Sequence, residues 1–371
     1  MTKSPRVAIV SDPLVQRGGA ERVVETIAQM YPDAPIFSIL YSPETGPRSL
    51  KDRIVPSALQ RIPGAATRHR WLLPFYASAV EGFDLSAFDI IISSHHTAAK
   101  GVLRNSLQRH ICYCHTPMRA LWERPHEELA TLPAPLRPFA KAAMGKLREW
   151  DYVTAGRVDA FVANSETTMR RISSHYGRFS TVINPPIDTK HFTPGGPVGD
   201  YYLVASRLVP YKRVELAVEA TAKIGRKLII VGSGSDSHKL RASHVEQYGH
   251  VSEQRLLELM RGAKALLFPG EEDFGMTPVE VMACGRPVIA YAKGGALETV
   301  IDNVTGTLVH TQTADDFAKS IIEFEKIPFS STRIRNHAEQ FSKERFVSAL
   351  RDLVEDAPED LKKSAHIRAL A

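Results

Sequence analysis

Short apolar runs recur along the chain, each followed by a turn signal and then by helical periodicity. Arg6-Val-Ala-Ile-Val10 is the first, of the kind that fills a buried parallel strand. Gly18-Gly19 follows, after which Val23, Val24, Ile27 and Met30 repeat at the spacing of one helix face. Ile36–Leu40, Phe88–Ile92, Arg109–Cys114 and Ala160–Ala163 are the next strand candidates. The rhythm breaks between Ile183 and Gly196, a stretch rich in Pro and Gly, and then restarts. Tyr202–Ala205, Lys227–Val231, Ala263–Phe268 and Pro287–Ala290 are four further runs, each leading into helix-like sequence. Strands alternating with helices predict parallel sheets wrapped by helices. The chain therefore reads as α/β, with two Rossmann-like parallel-sheet domains and a boundary near residues 184–198. Open parallel sheets bind ligands beyond the carboxyl ends of their strands. A pair of them facing across a cleft is expected to hold two ligands with their reactive ends together. The tail after Asp352 is charged and helix-compatible, with little sign of a further domain.

Composition narrows the class. A length of 371 residues suits two domains of roughly 185 each. With 43% apolar and 24% charged residues the chain is globular, neither disordered nor fibrous. No apolar run approaches the roughly 18 residues that span a bilayer, and Met1–Arg6 leads directly into a strand, so neither a membrane span nor a secretory leader is expected. Three cysteines make no disulfide framework and fit a reducing, cytoplasmic compartment. The net charge of +6 is unevenly spread: residues 1–183 carry 23 Lys+Arg against 16 Asp+Glu, and residues 184–371 carry 24 against 25. The basic first half is either an ordinary solvated face or a surface lying against anionic lipid or nucleic acid.

The richest segment for chemistry is Gly270–Ile289. Its acids Glu272 and Glu280 stand with seven residues between them. Thr277 reads as a helix N-cap, with Pro278 at the first helical position and Glu280 at the third. The amides opening that helix favour a bound anion or polar hydroxyls. In the plainer reading Glu280 only caps its own helix and Glu272 is a solvated loop acid. In Ser206–Arg213, Arg207 and Lys212 offer a fork and a point charge to a diphosphate. As mere surface cations near a helix start they would oppose its dipole. Gly232-Ser-Gly234 after a strand is a weak phosphate signal; the full dinucleotide fingerprint and the P-loop pattern are both absent. At Gly18-Gly19 a diphosphate can approach the backbone closely. Cys112-Tyr-Cys114-His115 resembles a metal motif, yet both cysteines fall on one side of a strand and read equally as small buried hydrophobes. Only His95 and His96 stand ready to complete such a set, and no metal is assigned. No Asp-x-Asp pair exists to place a divalent ion on a diphosphate. His115 closes its strand, where a side chain points toward ligand. Pro135–Arg148 mixes apolar and basic residues like an interfacial helix, with Pro138 near its start, or is an ordinary amphipathic surface helix.

Taken in order, Ser206-Arg207…Lys212, Gly232-Ser-Gly234, Glu272-(x7)-Glu280 and Gly294-Gly295…Glu298 resemble family 4 of the retaining glycosyltransferases, which have the GT-B fold. Gly18-Gly19-Ala-Glu21 and Asn164-Ser165 extend the likeness over nearly the whole chain. The resemblance implies that residues 1–183 bind the acceptor and residues 184–371 the nucleotide sugar, with the last helix free to pack back on the first domain. It implies further that Arg207 and Lys212 neutralise the donor diphosphate, that Glu280 bonds the donor ribose, and that Gly19 approaches the diphosphate. Glu272, with the backbone of Phe274, Gly275 and Met276, then contacts the transferred sugar, and His115 lies beside it. Gly18, Gly232 and Thr277 complete the expected donor site. The segment Cys112–Glu123 resembles a subset that includes bacterial mannosyltransferases of exopolysaccharide and lipopolysaccharide assembly. That implies GDP-mannose as donor, a polyprenyl-diphosphate-linked oligosaccharide as acceptor, no cofactor, and a peripheral position at the inner face of the cytoplasmic membrane. The alternatives are a UDP-sugar donor carrying glucose or GlcNAc, a nucleotide-sugar 2-epimerase, and a nucleic-acid-binding protein. The last lacks any helix-turn-helix or RNA-binding signature.

Overall fold

The computed structural model describes residues 5–130 and 132–355, so the last part of the charged tail, from residue 356, lies outside the described residues. The chain divides into two compact units. Unit 1 comprises the described residues up to Asn184 together with those from Phe346 onward, and unit 2 is Pro185–Arg345.

Unit 1 is built on seven parallel strands: β1 (Val7–Ser11), β2 (Ile36–Ser38), β3 (Ile54–Pro56), β4 (Ile90–His95), β5 (Arg109–Cys114), β6 (Ala160–Ala163) and β7 (Ser180–Val182). Their spatial order is β3-β2-β1-β4-β5-β6-β7. The central strands β1, β4 and β5 are buried along their whole length, which is why they read as continuous apolar runs. Helix Gly19–Met30 covers one face with Val23, Val24 and Ile27. The same core cluster takes Phe346, Leu350 and Val354 from helix Lys343–Glu355, and Arg109 donates to the carbonyl of Val354 at 2.9 Å. Cys112 and Cys114 pack with Val158, Phe161 and Ile172, and burial pushes the Cys112 thiol up to about 12.

Unit 2 carries six parallel strands: β8 (Tyr202–Ala205), β9 (Leu228–Val231), β10 (Val245–Tyr248), β11 (Leu266–Phe268), β12 (Val288–Tyr291) and β13 (Gly306–Val309). Their order is β10-β9-β8-β11-β12-β13. Helices Val214–Lys223 and Ala314–Phe324 close one face through Ala217, Ala220, Phe317 and Ile321. Helices Glu253–Gly262 and Met276–Ala283 close the other through Leu257, Met260, Val279 and Met282.

In each sheet the chain winds outward in one direction and then starts again on the other side of its first strand. The restart lies between β1 and β4 in unit 1, and between β8 and β11 in unit 2. Loops leaving such neighbouring strands diverge and open a crevice at their carboxyl ends, where doubly wound sheets take ligands.

Candidate active site

Most of the expected donor residues meet at the β8/β11 crevice of unit 2. Arg207 leaves β8 exposed, its guanidinium donating to the Tyr211 hydroxyl at 2.8 Å. A short turn, Pro210–Lys212, then leads through Arg213, left-handed at φ 52°, into helix Val214–Lys223. Lys212 pairs with Glu272 in the loop after β11, the two side chains keeping only 14% and 19% of their surface. The Lys212 ammonium also stands over the rings of Tyr211 and Phe268, at 5.5 and 6.0 Å. A small pocket at this point is lined by Ala205, Ser206, Lys212, Phe268 and Gly270.

Close backbone approach holds the loops in register. Gly232 has φ 136°, and a Cβ there would meet the Ser206 carbonyl oxygen at 1.9 Å, so the turn after β9 lies hard against the end of β8. Gly294 and Gly295 press likewise on the carbonyls of Glu272 and Phe274, each at 2.2 Å from where a Cβ would stand, and the Gly295 amide donates to Glu272 at 2.9 Å. The Glu272 loop is therefore backed by a second loop without side chains between them.

The helix expected to start at Thr277 begins earlier. It spans Met276–Ala283, its N-cap is Gly275 at φ 83°, and no side chain caps it. Phe274 is buried, and the left-handed turn at Gly275 redirects the chain into the helix at once, leaving Thr277 inside the first turn. The amides of Met276 and Thr277 thus have no acceptor within the helix, the condition under which a helix start attracts anionic oxygen. Glu280 lies one turn further in and is buried to 2% exposure.

Gly18, Gly19 and His115 belong instead to unit 1. Gly18, in extended conformation, is the N-cap of helix Gly19–Met30. Glu21 in its first turn is buried, and that burial pushes its carboxyl up. His115 follows β5, bonded through Nε2 to Ser94 Oγ at 2.8 Å. Burial, with a smaller contribution from His96, pushes its imidazole down to about 3, so the ring is neutral near pH 7.

Sequence reasoning missed two features here. Asp12, just past β1, is buried and accepts the amides of His96, Thr97, Ala98 and Ala99 at 2.6 to 3.0 Å. An acid directly after an apolar strand was the available signal. Lys100 is fully buried, 2.7 Å from Asp151 Oδ1 and bonded to Thr154 Oγ1 at 2.9 Å. Asp151 Oδ2 accepts from Trp122 Nε1 and the Tyr176 hydroxyl. Nothing in the spacing distinguishes Lys100 from a surface cation.

The stretch around Pro135–Arg148 forms helix Arg137–Thr154, with Pro138 in its first turn. Phe139 is 76% exposed beside Arg137 and Lys141, and Trp71, elsewhere in the unit, is 72% exposed. Among the described residues no helix is long and apolar enough to cross a membrane, and no group of three or more His, Cys, Asp or Glu is placed to hold a metal ion.

Two sequence families match this chain in succession: glycosyltransferase family 4 over residues 17–191, and glycosyl transferases group 1 over residues 194–362. The chain belongs to the family 4 glycosyltransferases and has their GT-B fold. Among curated relatives, the D-inositol 3-phosphate glycosyltransferase of Geodermatophilus obscurus is 30% identical over 230 residues, covering 52% of this chain and 51% of that one. The enzyme of the same name from Mycolicibacterium smegmatis is 30% identical over 223 residues, again 52% and 51%. The chain spans about half the length of the curated relatives it matches. Among solved structures, Anabaena HepE in complex with UDP-glucose superposes with TM-score 0.69 at 17% identity, covering 95% of this chain and 100% of that one. The sucrose-phosphate synthase of Thermosynechococcus elongatus gives 0.70 at 18% identity, with 94% and 98% covered. At these identities the structural likeness speaks for the fold alone.

Proposed function

We propose that this protein is a retaining glycosyltransferase moving a hexose from a nucleoside diphosphate sugar to an acceptor hydroxyl. The observation that carries the reading is the pairing of Lys212 with Glu272 at the β8/β11 crevice, beside exposed Arg207 and an uncapped helix start. In the reaction the bond from the sugar C1 to the diphosphate oxygen breaks, and its electron pair stays on the nucleoside diphosphate. A bond from C1 to the acceptor oxygen forms on the same face, and the acceptor proton passes to the departing diphosphate. Negative charge grows on the leaving group, where Arg207, Lys212 and the amides of Met276 and Thr277 stabilise it. Gly18, Gly19 and Gly232 let backbone approach the donor. Glu272 and the backbone of Phe274 and Gly275 contact the sugar, Glu280 bonds the ribose, and neutral His115 lies beside the reacting ring. Unit 2 thus carries the nucleotide and unit 1 the acceptor.

For the donor we infer GDP-mannose, on the resemblance carried by Cys112–Glu123. A UDP-sugar is the second reading, favoured by the structural likeness to HepE, which was solved with UDP and with UDP-glucose. For the acceptor we infer a polyprenyl-diphosphate-linked oligosaccharide reached at the inner face of the cytoplasmic membrane. Exposed Phe139 and Trp71 and the basic balance of residues 1–183 support contact with an anionic lipid surface. Thermal-shift measurement against GDP, UDP, ADP and TDP tests the reading, because a ligand that binds only the folded state raises the melting temperature. A rise with GDP supports the mannose donor, a rise with UDP alone removes it, and no rise with any of the four overturns the nucleotide-sugar reading.

A further inference from the structure

The carboxyl edge of unit 1 presents one ordered imidazole to which the roles above assign nothing. His96 follows β4, and the turn it opens is tied to a single buried carboxylate, Asp12, by four successive amides. Asp12 Oδ2 also lies 3.3 Å from His96 Nδ1, a buried atom that makes no hydrogen bond among the described residues. A carboxylate oxygen this close repels a bare ring lone pair and attracts an N–H, which favours the tautomer with its hydrogen on Nδ1 and its lone pair on Nε2. The two side chains differ sharply in reach: Asp12 is 1% exposed and His96 36%. One edge of the ring therefore lies against the protein while the ring remains open to solvent. The His115 ring stands 6.2 Å away, edge to face.

The surroundings select the kind of ligand. Asp12 lies against His96, and the buried carboxyl of Glu21 interacts electrostatically with it. Two carboxyl groups disfavour a phosphate or carboxylate at this point, whereas a neutral hydroxyl can donate to Nε2 without opposing them. We propose that Asp12 is a positioning residue that sets the tautomer of His96, and that His96 Nε2 accepts a hydrogen bond from a sugar-type hydroxyl of the acceptor. The proposal rests on the glycosyltransferase reading for what the ligand is, and on unit 1 alone for how it is held.

The test is nuclear magnetic resonance on the full chain with 13C,15N-labelled histidine, His96 being assigned from His96→Gln. Methyl α-D-mannopyranoside serves as the hydroxyl probe, and buried His110 as the internal reference. The expected result is an Nδ1–H tautomer for His96 and an Nε2 resonance that moves with added glycoside while His110 stays still. An Nε2–H tautomer in the wild type overturns the proposal, as does a His96 resonance that the glycoside leaves in place. Asp12→Asn should shift His96 away from the Nδ1–H form. Because Asp12 also ties down four amides, that variant can fail to fold, and His96→Gln supplies an independent readout. Followed through the His115 resonance, glycoside affinity should fall about tenfold, the weight of one good hydrogen bond, with the nucleotide-induced rise in melting temperature retained. Unaltered glycoside affinity overturns the assignment. If the wild type shows no nucleotide-induced rise, the function reading fails, and the tautomer measurement still decides the geometry.

Discussion

Lys100 and Lys212 each face a carboxylate, but in opposite settings. The Lys100–Asp151 pair is fully buried, and Thr154, Trp122 and Tyr176 supply further hydrogen bonds to its two members. The Lys212–Glu272 pair sits past the carboxyl ends of the central strands β8 and β11, with part of each side chain reachable by solvent. Removing one member of a sealed pair strands an uncompensated charge, whereas an open pair can exchange one partner for an incoming anion. The first arrangement is a fastening between Lys100 and the end of helix Arg137–Thr154; the second is suited to receive a ligand. Residue type alone predicts neither.

The contrast can be broken experimentally. Lys100→Met should cost about 3–5 kcal/mol of folding stability in chemical denaturation, and adding Asp151→Leu should recover part of it; a wild-type midpoint for the single variant would contradict the buried pair. Lys212→Ala should lower turnover by on the order of 10²–10³, as loss of a charge stabiliser does, with a smaller drop in melting temperature than Lys100→Met. Wild-type turnover there would remove Lys212 from the diphosphate site.

Acid titration probes a different buried charge question. Burial holds His110 and His115 down to about 3, while an unfolded histidine titrates near 6.5. Between these values the unfolded chain binds more protons, so the stability these groups contribute is full above pH 6.5 and declines as pH falls toward 3. Each group should account for up to about 1.4 kcal/mol per pH unit in that window. His115→Phe should flatten the measured slope by one group's share, and an unchanged slope would place the ring in water. The smallest effect is expected at a third lysine pair, Lys223–Asp315, whose side chains are 48% and 69% exposed. Lys223→Ala should leave the melting temperature where it was.

What the sequence revealed of the fold follows burial closely. All nine strand candidates correspond to observed strands, with ends displaced by up to three residues. The four strands that pattern reading missed are β3, β7, β10 and β13, and these are the edges of the two sheets. Edge strands are half covered, so they lack the unbroken apolar run that marks a central parallel strand; β10 has no fully buried residue at all. Of the residues proposed for the donor, Arg207, Lys212, Gly232 and Glu272 were legible as residue types in the loops just past strands, and Glu280 as an acid in the helix that follows. Thr277 misled because a good capping residue followed by proline imitates a helix start, while the actual start depends on a glycine conformation. Asp12 and Lys100 were hidden for another reason: their partners lie more than 80 and about 50 positions away in the chain.

The glycine contacts behind Glu272 set how this crevice can diverge. Backbone packed on backbone leaves no slack, so a substitution at Gly294 or Gly295 displaces the loop as a whole and cannot retune it. On the function proposed above, altered sugar preference is expected from the side chains carried on that fixed frame, above all Glu271, Asp273 and Met276. A mutational library confined to those three positions should therefore retain folded members at a far higher rate than one that includes the glycines.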